Sequence, residues 1–587
     1  NRNYNWNWMT VANQAFGTAP GKTRPLGVTI LAILNALGGI MTLIGGVAAI
    51  GVTSTGILAP LGIVFGGFTI LIGLFQLIIA WGLWTGKKWA WLLALIFGIL
   101  GVIFGILGLI GGGFTGIVSL LIRNGEIVNA GSRMVADVYV EGETISRIGK
   151  DLEAPPGTEV IDATGKYVFP GFIDPHVHIH LPFMGTFTKD THTTGSQAAL
   201  VGGTTTYIEM MAPSRNEDLM AGYRNWTALA EGNSACDYSF HIGVTRYDDQ
   251  TEAVLRELVA EGMTSFKVFL AYKGFFGVTD AELFRTLTLA KELGVTVAAH
   301  CENDELVAQL QQRLLAEGKG GPEWHEPSRP ERVEADGTAH FATFVELTGA
   351  KGYVVHLSCE PALEAALAAK RRGVDLAIEV VVPHLLLDKS YAERPGFEGA
   401  KYVMSPPLRD RRNQAPLWNA LAAGVIDTVA TDHAPFDFKG QKEMGRGDFT
   451  KIPNGIPTIE DRVNLLYTYG VSRGRLSLER FVSAASTRAA QLFGLYPRKG
   501  VIAVGADADI VVYDPHYRGA ISAETQAMNV DYSGFEGVEI DGRPSVVTVR
   551  GQVAVRDGEF VGDPGRGRLL RREPASAHEG AREAVAG

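Results

Sequence analysis

Amphipathic helices alternate with short apolar strands through the middle of this chain. The segment TEAVLRELVAEG precedes TSFKVFL, AELFRTLTLAKELG precedes VTVAAH, and AHFATFVELTGA precedes KGYVVHLS. A fourth pair, PALEAALAAKRRG and VDLAIEVV, follows. Repeating units of this length predict parallel strands joined by helices, either as a closed barrel or as a doubly wound sheet.

Short β-branched segments flank this region on both sides. The segments before it are LLIRNGEIV, ADVYVEGETISRIG and EVIDATGKYVFPG, and those after it are ADADIVVYDP and SVVTVRGQVAVRDGEFVG. The Asn-Gly and Gly breaks between them are typical of β-hairpins. Residues 566–587 are rich in Arg and then in Ala, Glu and Gly, and we expect them to form a disordered tail.

The first part of the chain has long stretches without charge. Residues 25–86 and 89–122 contain no Asp, Glu, Lys, Arg or His. Each run exceeds the roughly 20 residues that cross a bilayer. After a polar segment at 1–25, the sequence therefore predicts a membrane anchor at 26–118, with three transmembrane helices at about 26–52, 57–84 and 89–118. A buried helical hairpin of a water-soluble protein is the alternative.

The junction that follows the third predicted span is abrupt. No linker separates it from SLLIRNGEIV, which already has the pattern of a strand. A chimeric join at this point therefore remains open. The basic residues Lys22, Arg24, Lys87 and Lys88 belong on one membrane face, which would place the rest of the chain on the opposite face.

Charge and cysteine content exclude several classes of protein. The formal net charge is −10 and no basic block occurs, so a nucleic-acid partner is not expected. The three cysteines lie far apart, which argues against a disulfide framework or a thiolate zinc site. A reducing compartment is compatible with this cysteine usage.

Histidines and one aspartate follow the apolar strands. His176 and His178 are two residues apart on an extended segment, so their side chains project to the same side and could bind one metal ion. His300, His356 and Asp432 lie at the ends of three later strands. A barrel builds its active site from strand ends at one face, so together these residues predict a metal centre there. Taken alone, the His-x-His pair could also lie on the surface.

Lys267 lies within an apolar strand and points opposite to Phe266 and Val268. Two zinc ions that each have three or four protein ligands and one open position for solvent need about six to eight bonds from the protein, and the residues above supply five ligands. No Asp or Glu is expected at an inward strand position. Burial favours a neutral amine, which can add carbon dioxide and become an anionic bridging carbamate. The alternative is that Lys267 pairs with a buried acid.

Several motifs identify a family. GFIDPHVH, SFKVFLAY and TDHAPF resemble the cyclic amidohydrolases, and IEDRVNLLYTYGVSRGR, YVMSPPLRD, GPEWHEPSRP and IPNGIPTIEDR resemble the D-hydantoinase/dihydropyrimidinase family. The resemblance covers residues 120–572. It implies a (β/α)8 barrel at 173–490 and a β-sandwich made of 120–172 and 491–565. It also implies a homotetramer or homodimer and a cytoplasmic catalytic domain, anchored to a membrane if 26–118 is authentic.

The resemblance also implies the ligands of two zinc ions. His176, His178, Lys267 and Asp432 match the more buried ion, and Lys267 as the carbamate (N6-carboxylysine) is shared with the second ion. His300 and His356 complete the second set. A hydroxide that bridges the two ions would attack the carbonyl carbon of a cyclic amide.

Four further residues match functional positions of the family. Asp432 would carry the proton of the hydroxide to the leaving ring nitrogen, and Tyr272 would donate to the developing alkoxide. Ser405 and Asn454 would hold the imide part of the ring. Each of these polar residues could otherwise be an ordinary turn or cap residue.

An apolar stretch sets the expected substrate class. Relatives that open dihydroorotate or allantoin tend to carry Arg or Asn shortly after the histidine pair, and IHLPFMGTF has neither. Apolar residues instead suggest a slot for a side group on the ring, although they could equally pack within the barrel mouth: Leu181, Phe183, Phe269, Phe275 and Phe276.

The expected reaction is therefore the hydrolysis of a small cyclic amide. It would open 5-substituted hydantoins to N-carbamoyl amino acids, or dihydropyrimidines to 3-ureidopropionates. An allantoinase-like or dihydroorotase-like activity is one alternative. A catalytically inactive scaffold of the same fold is another, although every ligand position is filled. His180 stands where the family leads us to expect an aromatic residue.

Overall fold

The structure is a computed structural model, and it divides the chain into two units, Asn1–Ile117 and Val118–Gly587. The residues that it describes are 26–52, 59–87, 89–96 and 119–574. Three predictions fall wholly or partly outside these ranges. They are the polar segment at 1–25, residues 97–118 of the third expected span, and residues 575–587 of the expected tail.

The first unit contains two long helices, Leu26–Val52 and Ala59–Trp84, and residues 89–96 are also helical. Ala32, Ile79 and Leu83 are buried in one apolar cluster between them. The described parts of the uncharged runs therefore form helices where the sequence predicts them. Such runs favour helices because each backbone polar group is satisfied within the helix.

The prediction of three membrane spans is not supported. Within the described part of the chain, no helix has both the length and the hydropathy needed to cross a membrane.

The second unit begins with five strands and continues with the barrel strands. The first five are β1 (Ser119–Asn129), β2 (Ser132–Glu141), β3 (Thr144–Gly149), β4 (Glu159–Asp162) and β5 (Tyr167–Pro170). The next group, which includes a short hairpin of β7 and β8, is β6 (Phe172–Val177), β7 (Pro182–Phe183), β8 (Thr186–Phe187), β9 (Thr204–Met211), β10 (Asp237–Gly243), β11 (Ser265–Phe269), β12 (Thr296–His300), β13 (Lys351–Val354), β14 (Leu376–Val381) and β15 (Thr428–Ala430). The last four are β16 (Ile510–Ala520), β17 (Glu539–Val549), β18 (Gln552–Arg556) and β19 (Glu559–Phe560).

Eight parallel strands form the barrel, in the order β15-β14-β13-β12-β11-β10-β9-β6. The two outer strands of this sheet meet each other. The backbone N–H of Asp432 donates to the carbonyl oxygen of His176 at 3.0 Å, and that of His178 donates to His433 at 2.8 Å. The sheet therefore closes on itself, which decides between the two predicted architectures in favour of the barrel.

Helices cover the outside of the barrel between successive strands. Thr279 caps the helix Asp280–Leu293 through a capping box with Glu282, and Gly294 ends it in the left-handed conformation that glycine adopts most readily. The helices of more than eight residues that follow the barrel strands are His192–Val201, Leu219–Ala230, Asp249–Ala260, Asp280–Leu293, Asp304–Ala316, Glu331–Thr348, Glu360–Arg371 and Gln414–Ala422. The shorter ones are His325–Ser328, Val382–Leu386, Arg462–Leu466, Leu478–Val482 and Arg488–Leu492.

Strands from both flanks of the barrel join in one nine-stranded sheet. Its order is β19-β18-β17-β16-β5-β1-β2-β3, with β4 beside β1. The two ends of the second unit therefore share a β-rich domain, as predicted. Instead of a sandwich of two sheets, the strands follow one continuous hydrogen-bonded path. Register shifts between Ile122 and Gly125 and between Val512 and Tyr513 are bulges of the kind that let a sheet bend.

The prediction of a disordered tail at 566–587 is wrong for residues 566–574. Leu570 is buried, and its N–H donates to the carbonyl oxygen of Tyr238 at 2.7 Å. The buried Arg572 donates from Nε to Ser239 Oγ at 2.8 Å. This segment packs against the start of β10, a tertiary contact that composition does not reveal.

Candidate active site

One cavity at the C-terminal ends of the barrel strands is lined by all of the predicted site residues except Phe275. It encloses about 490 Å³ of space, part of it open to solvent. The six expected metal ligands line it: His176, His178, Lys267, His300, His356 and Asp432. The other residues expected to bind the substrate or act on it also line it: Tyr272, Ser405, Asn454, Leu181, Phe269 and Phe276. Phe183 also lines it, whereas Phe275 lies outside in an adjoining cavity.

The first group of ligand atoms converges on one carboxylate. The Nε2 atoms of His176 and His178 each lie 3.1 Å from Asp432 Oδ1 and 3.2 Å from each other. His176 lies in β6, and Asp432 lies two residues after the end of β15, the strand that closes the barrel against β6. Ligand atoms of His176, His356 and Asp432 lie within 4.8 Å of one another, which is close enough to share a metal ion.

The second pair of histidines comes from β12 and from the end of β13. Nδ1 of His300 lies 2.9 Å from Nε2 of His356. His356, Asp432 and Tyr272 all have positive φ angles, of 38°, 52° and 63°. Such backbone conformations are uncommon for residues other than glycine, and they cluster at functional sites. Here they occur where the strands end and the side chains turn into the cavity.

Lys267 is fully buried in β11. Its Nζ atom has no hydrogen-bond partner among the described residues and lies 4.8 Å from the centre of the Phe269 ring. Burial lowers the pKa of Lys267 to about 8, although Asp432 and Glu379 oppose the shift. The alternative of a salt bridge with a buried acid is therefore not found in the described part of the chain.

Glu379 is a site residue that the sequence reasoning missed. It lies in β14 with its side chain fully buried, so the expectation that no acid occupies an inward strand position is wrong. Its Oε1 lies 2.7 Å from His176 Nδ1 and accepts from the His356 N–H at 2.9 Å. Tyr353 donates its hydroxyl to Oε2 at 2.7 Å. The strand LAIEVV contains the signal, because Glu379 is the one acid in an otherwise apolar strand.

A second buried acid supports the other histidine pair. Glu302 Oε2 lies 2.7 Å from His300 Nε2 and also pairs with the guanidinium of Arg329. Burial opposes ionisation of Glu302, but Arg329 and His300 lower its pKa to about 2. The Arg329 guanidinium in turn lies 5.2 Å from the centre of the Tyr272 ring. Neither Glu302 nor Arg329 was predicted as a site residue.

The imidazoles differ in their electrostatic environment. Burial lowers the pKa of His178 to about 4 and holds that of His356 well below its usual range. Burial also acts against the charged form of His176, but Glu379 and Asp432 raise its pKa to about 9. Neutral imidazole nitrogens are the form that binds metal ions.

The two remaining walls of the cavity are chemically distinct. On the polar wall, Asn454 Nδ2 donates to Ser405 Oγ at 3.0 Å and lies 3.5 Å from the Tyr272 hydroxyl. On the apolar wall, Leu181, Phe269 and Phe276 belong to one buried cluster, with the two phenyl rings stacked at 5.3 Å. A ring with polar edges and an apolar substituent fits such a cavity.

Comparison with known proteins gives consistent matches over the barrel and the β-rich domain. The model of the Amidohydrolase family matches residues 167–554. The D-hydantoinase of Geobacillus stearothermophilus is 48% identical over 453 residues, which are 77% of this chain and 96% of that protein. The dihydropyrimidinase of Rattus norvegicus is 39% identical over 462 residues, 78% of this chain and 89% of that protein.

Solved structures agree with these matches. A D-hydantoinase (dihydropyrimidinase) from Thermus sp. has 72% sequence identity and a TM-score of 0.77, over 78% of this chain and 99% of that one. An L-hydantoinase (dihydropyrimidinase) from Arthrobacter aurescens has 29% identity and a TM-score of 0.71, over 78% of this chain and 100% of that one.

Proposed function

Because the chain belongs to the amidohydrolase family, among relatives that are D-hydantoinases and dihydropyrimidinases, we infer that it is an enzyme that hydrolyses cyclic amides. We propose further that it opens 5-substituted hydantoins to N-carbamoyl amino acids, or dihydropyrimidines to 3-ureidopropionates. The observation that carries the proposal is that ligand-type, polar and apolar side chains from separate strands and loops all line the same cavity.

The residues present fit two divalent cations. Lys267 Nζ is buried without a hydrogen-bond partner among the described residues, and the Nε2 atoms of His176 and His178 both face the Asp432 carboxylate at 3.1 Å. Nitrogen and carboxylate donors of this kind suit zinc. His176, His178 and Asp432 would hold one ion, and His300 and His356 the other. When bound, the two ions would lower the pKa of water and polarise the amide carbonyl.

Lys267 would bridge the two ligand sets after modification. Its neutral amine attacks carbon dioxide, the new N–C bond forms, and one proton leaves to solvent, so that an anionic carbamate results. The buried amine without a partner supports this role, because burial favours the neutral form that carbon dioxide requires.

The other polar side chains would act on the substrate itself. The Asp432 carboxylate would take the proton of the attacking water and return it to the leaving ring nitrogen. The Tyr272 hydroxyl would donate a hydrogen bond to the oxygen on which negative charge develops. Ser405 and Asn454, 3.0 Å apart, would bind the imide part of the ring. Leu181, Phe269 and Phe276 would contact the substituent on the ring.

The test is a side-by-side assay of the full chain with hydantoin, a 5-aryl hydantoin, dihydrouracil, allantoin and dihydroorotate. The protein is treated with chelator and measured before and after zinc is restored. We expect zinc-dependent opening of the first three compounds. A preference for allantoin or dihydroorotate would overturn the substrate class, and inactivity with zinc bound would favour the scaffold alternative.

A variant of the apolar wall tests the substituent slot. Leu181→Ala removes apolar contact from one side of the cavity while it leaves the polar wall intact. We expect kcat/KM for the 5-aryl hydantoin to fall by at least about 10-fold, because the loss of even one methylene contact in an apolar pocket costs about 10- to 200-fold. For unsubstituted hydantoin, kcat/KM should change little. Equal losses on both substrates would argue against the slot.

We also propose a homotetramer or homodimer. Phe284 and Leu347 are 47% and 72% exposed, on the barrel helices Asp280–Leu293 and Glu331–Thr348. Large exposed apolar side chains of this kind are typical of surfaces that another subunit covers. Light scattering of the purified protein measures the state directly.

A further inference from the structure

Lys442 is a second fully buried lysine, and the mechanism above does not use it. Its Nζ atom donates to three backbone carbonyl oxygens, those of Val403 at 2.9 Å, Pro453 at 2.6 Å and Gly455 at 2.7 Å. No acidic side chain forms an ion pair with it in the part of the chain that the structure describes. An ammonium group has three N–H donors, so the three carbonyls satisfy it completely.

The three carbonyls belong to two separate loops, and each loop carries one residue of the polar wall. Val403 lies two residues before Ser405, and Pro453 and Gly455 lie on either side of Asn454. The Gly455 N–H also donates to the Val403 carbonyl oxygen at 2.9 Å. The position of Lys442 Nζ therefore bears directly on the distance between Ser405 Oγ and Asn454 Nδ2, which is 3.0 Å.

A lysine at this position is costly in free energy. Its burial is complete, and desolvation alone lowers the pKa of Lys442 well below its usual range. An apolar side chain would avoid that cost, but it would leave three buried carbonyl oxygens that converge on one point without their donor. The hydrogen-bonding demand of these two loops explains why a lysine, and no apolar residue, fits the position.

We propose that Lys442 is a positioning residue for substrate binding. Its ammonium group binds both of the loops that carry Ser405 and Asn454, and so fixes the position of one side chain relative to the other. The inference rests on the proposed function, in which those two residues bind the imide part of the ring. Lys442 itself does not line the cavity and does not touch the reacting atoms.

Lys442→Met is the principal test, because methionine has nearly the same shape and no donor. We expect KM for hydantoin to rise by about 10- to 100-fold, the effect of misplacing a binding group by an ångström or less. The zinc content should stay unchanged. Lys442→Gln keeps two N–H donors and should be intermediate. Lys439→Met, an exposed lysine of the same loop, is the matched control and should behave as the wild type.

A double-mutant cycle separates positioning from general loss of stability. Ser405→Ala should raise KM by about tenfold in the wild-type background and by less than about threefold in Lys442→Met, because the serine is already misplaced there. Equal effects in both backgrounds would overturn the role of Lys442. If Lys442→Met does not fold, the same cycle is run with Lys442→Gln under the same criterion.

The cycle also distinguishes failure of this inference from failure of the proposed function. If Ser405→Ala and Asn454→Ala leave KM for hydantoin unchanged in the wild-type background, Ser405 and Asn454 do not bind the imide part of the ring. The positioning role of Lys442 is then also wrong, because it depends on theirs. If they raise KM and Lys442→Met does not, only the positioning role is wrong.

Discussion

Nδ1 of His176 lies 2.7 Å from Oε1 of Glu379, although the two residues are 203 positions apart in the chain. With Nδ1 occupied, Nε2 of His176 is the atom directed toward Asp432, 3.1 Å away. Oε1 of Glu379 also accepts a hydrogen bond from the backbone N–H of His356 at 2.9 Å. Glu379 therefore orients one histidine from each of the two proposed ligand sets. Partners of this kind tune the affinity of a metal site.

Glu379→Gln should weaken metal retention. The amide cannot carry the negative charge that favours an Nδ1 proton on His176, so we expect metal affinity to fall by about 10- to 100-fold. Metal content after equilibration against a series of chelator concentrations measures the change. Glu346→Gln is the control, because Glu346 lies on the surface in an ion pair with Arg372 at 2.8 Å. Unchanged retention in Glu379→Gln would contradict this role.

Reconstitution of the metal-free enzyme should depend on pH through Lys267. Only the neutral amine adds carbon dioxide, and the pKa of Lys267 is lowered to about 8 by burial. With zinc and bicarbonate present, the rate of reactivation should rise from pH 6.5 and level off above about pH 8 to 9. Intact mass should show the added carbon dioxide in step with activity. The Lys267→Arg variant should neither gain the mass of carbon dioxide nor regain activity. Recovery of its activity would contradict the proposed carbamate.

Tyr272→Phe should lower kcat with little effect on KM. The hydroxyl is expected to interact mainly with charge that develops in the transition state, and the loss of one such donor costs about 100- to 1,000-fold in kcat. The phenyl ring can keep its packing against Phe183, whose ring centre lies 5.7 Å away. Steady-state kinetics on hydantoin measures both constants. A rise in KM at unchanged kcat would assign Tyr272 to ground-state binding instead.

Asp237 should contribute to stability in a pH-dependent way. Its Oδ2 lies 2.6 Å from Lys499 Nζ, and it also pairs with Arg550, so the start of β10 is linked to the C-terminal part of the chain. Burial opposes its ionisation, but Lys499 and Arg550 lower the pKa of Asp237 to about 2. A lowered carboxyl pKa means that the contribution is present above about pH 4 and is lost as the pH falls toward 2.

Asp237→Asn tests this link. Removal of one partner of a buried ion pair costs about 3–5 kcal/mol in the free energy of unfolding, and we expect that loss at pH 7. Denaturant unfolding at pH 7, 4 and 3 should show the difference from wild type shrinking as the pH falls. Glu126→Gln serves for comparison, because its pair with Arg133 lies at the surface. A difference that stays constant with pH would contradict the assignment.

Local patterns in the sequence predicted the parallel strands and the residues at their ends, whereas the closed barrel was implied only by the family resemblance. His176 and His178 lie on one side of an extended segment, and His300, His356 and Asp432 follow apolar strands, so their common location follows from the period of two and from the rule for strand ends. Composition was a weaker guide. It predicted disorder for residues 566–574, where Leu570 and Arg572 are buried. It also led to membrane spans that the described helices do not support.

By itself, the amino-acid sequence indicated which strands end in ligand-type side chains. Only the tertiary structure decided what each of them contacts. Glu379 meets His176 because barrel closure brings β14 near β6, and Lys442 meets two loops that are far apart in the chain. Side-chain direction along a strand is a property of neighbouring residues, whereas the choice of a buried partner is a property of the closed fold, in which most buried polar groups form hydrogen bonds with residues that are distant in the chain.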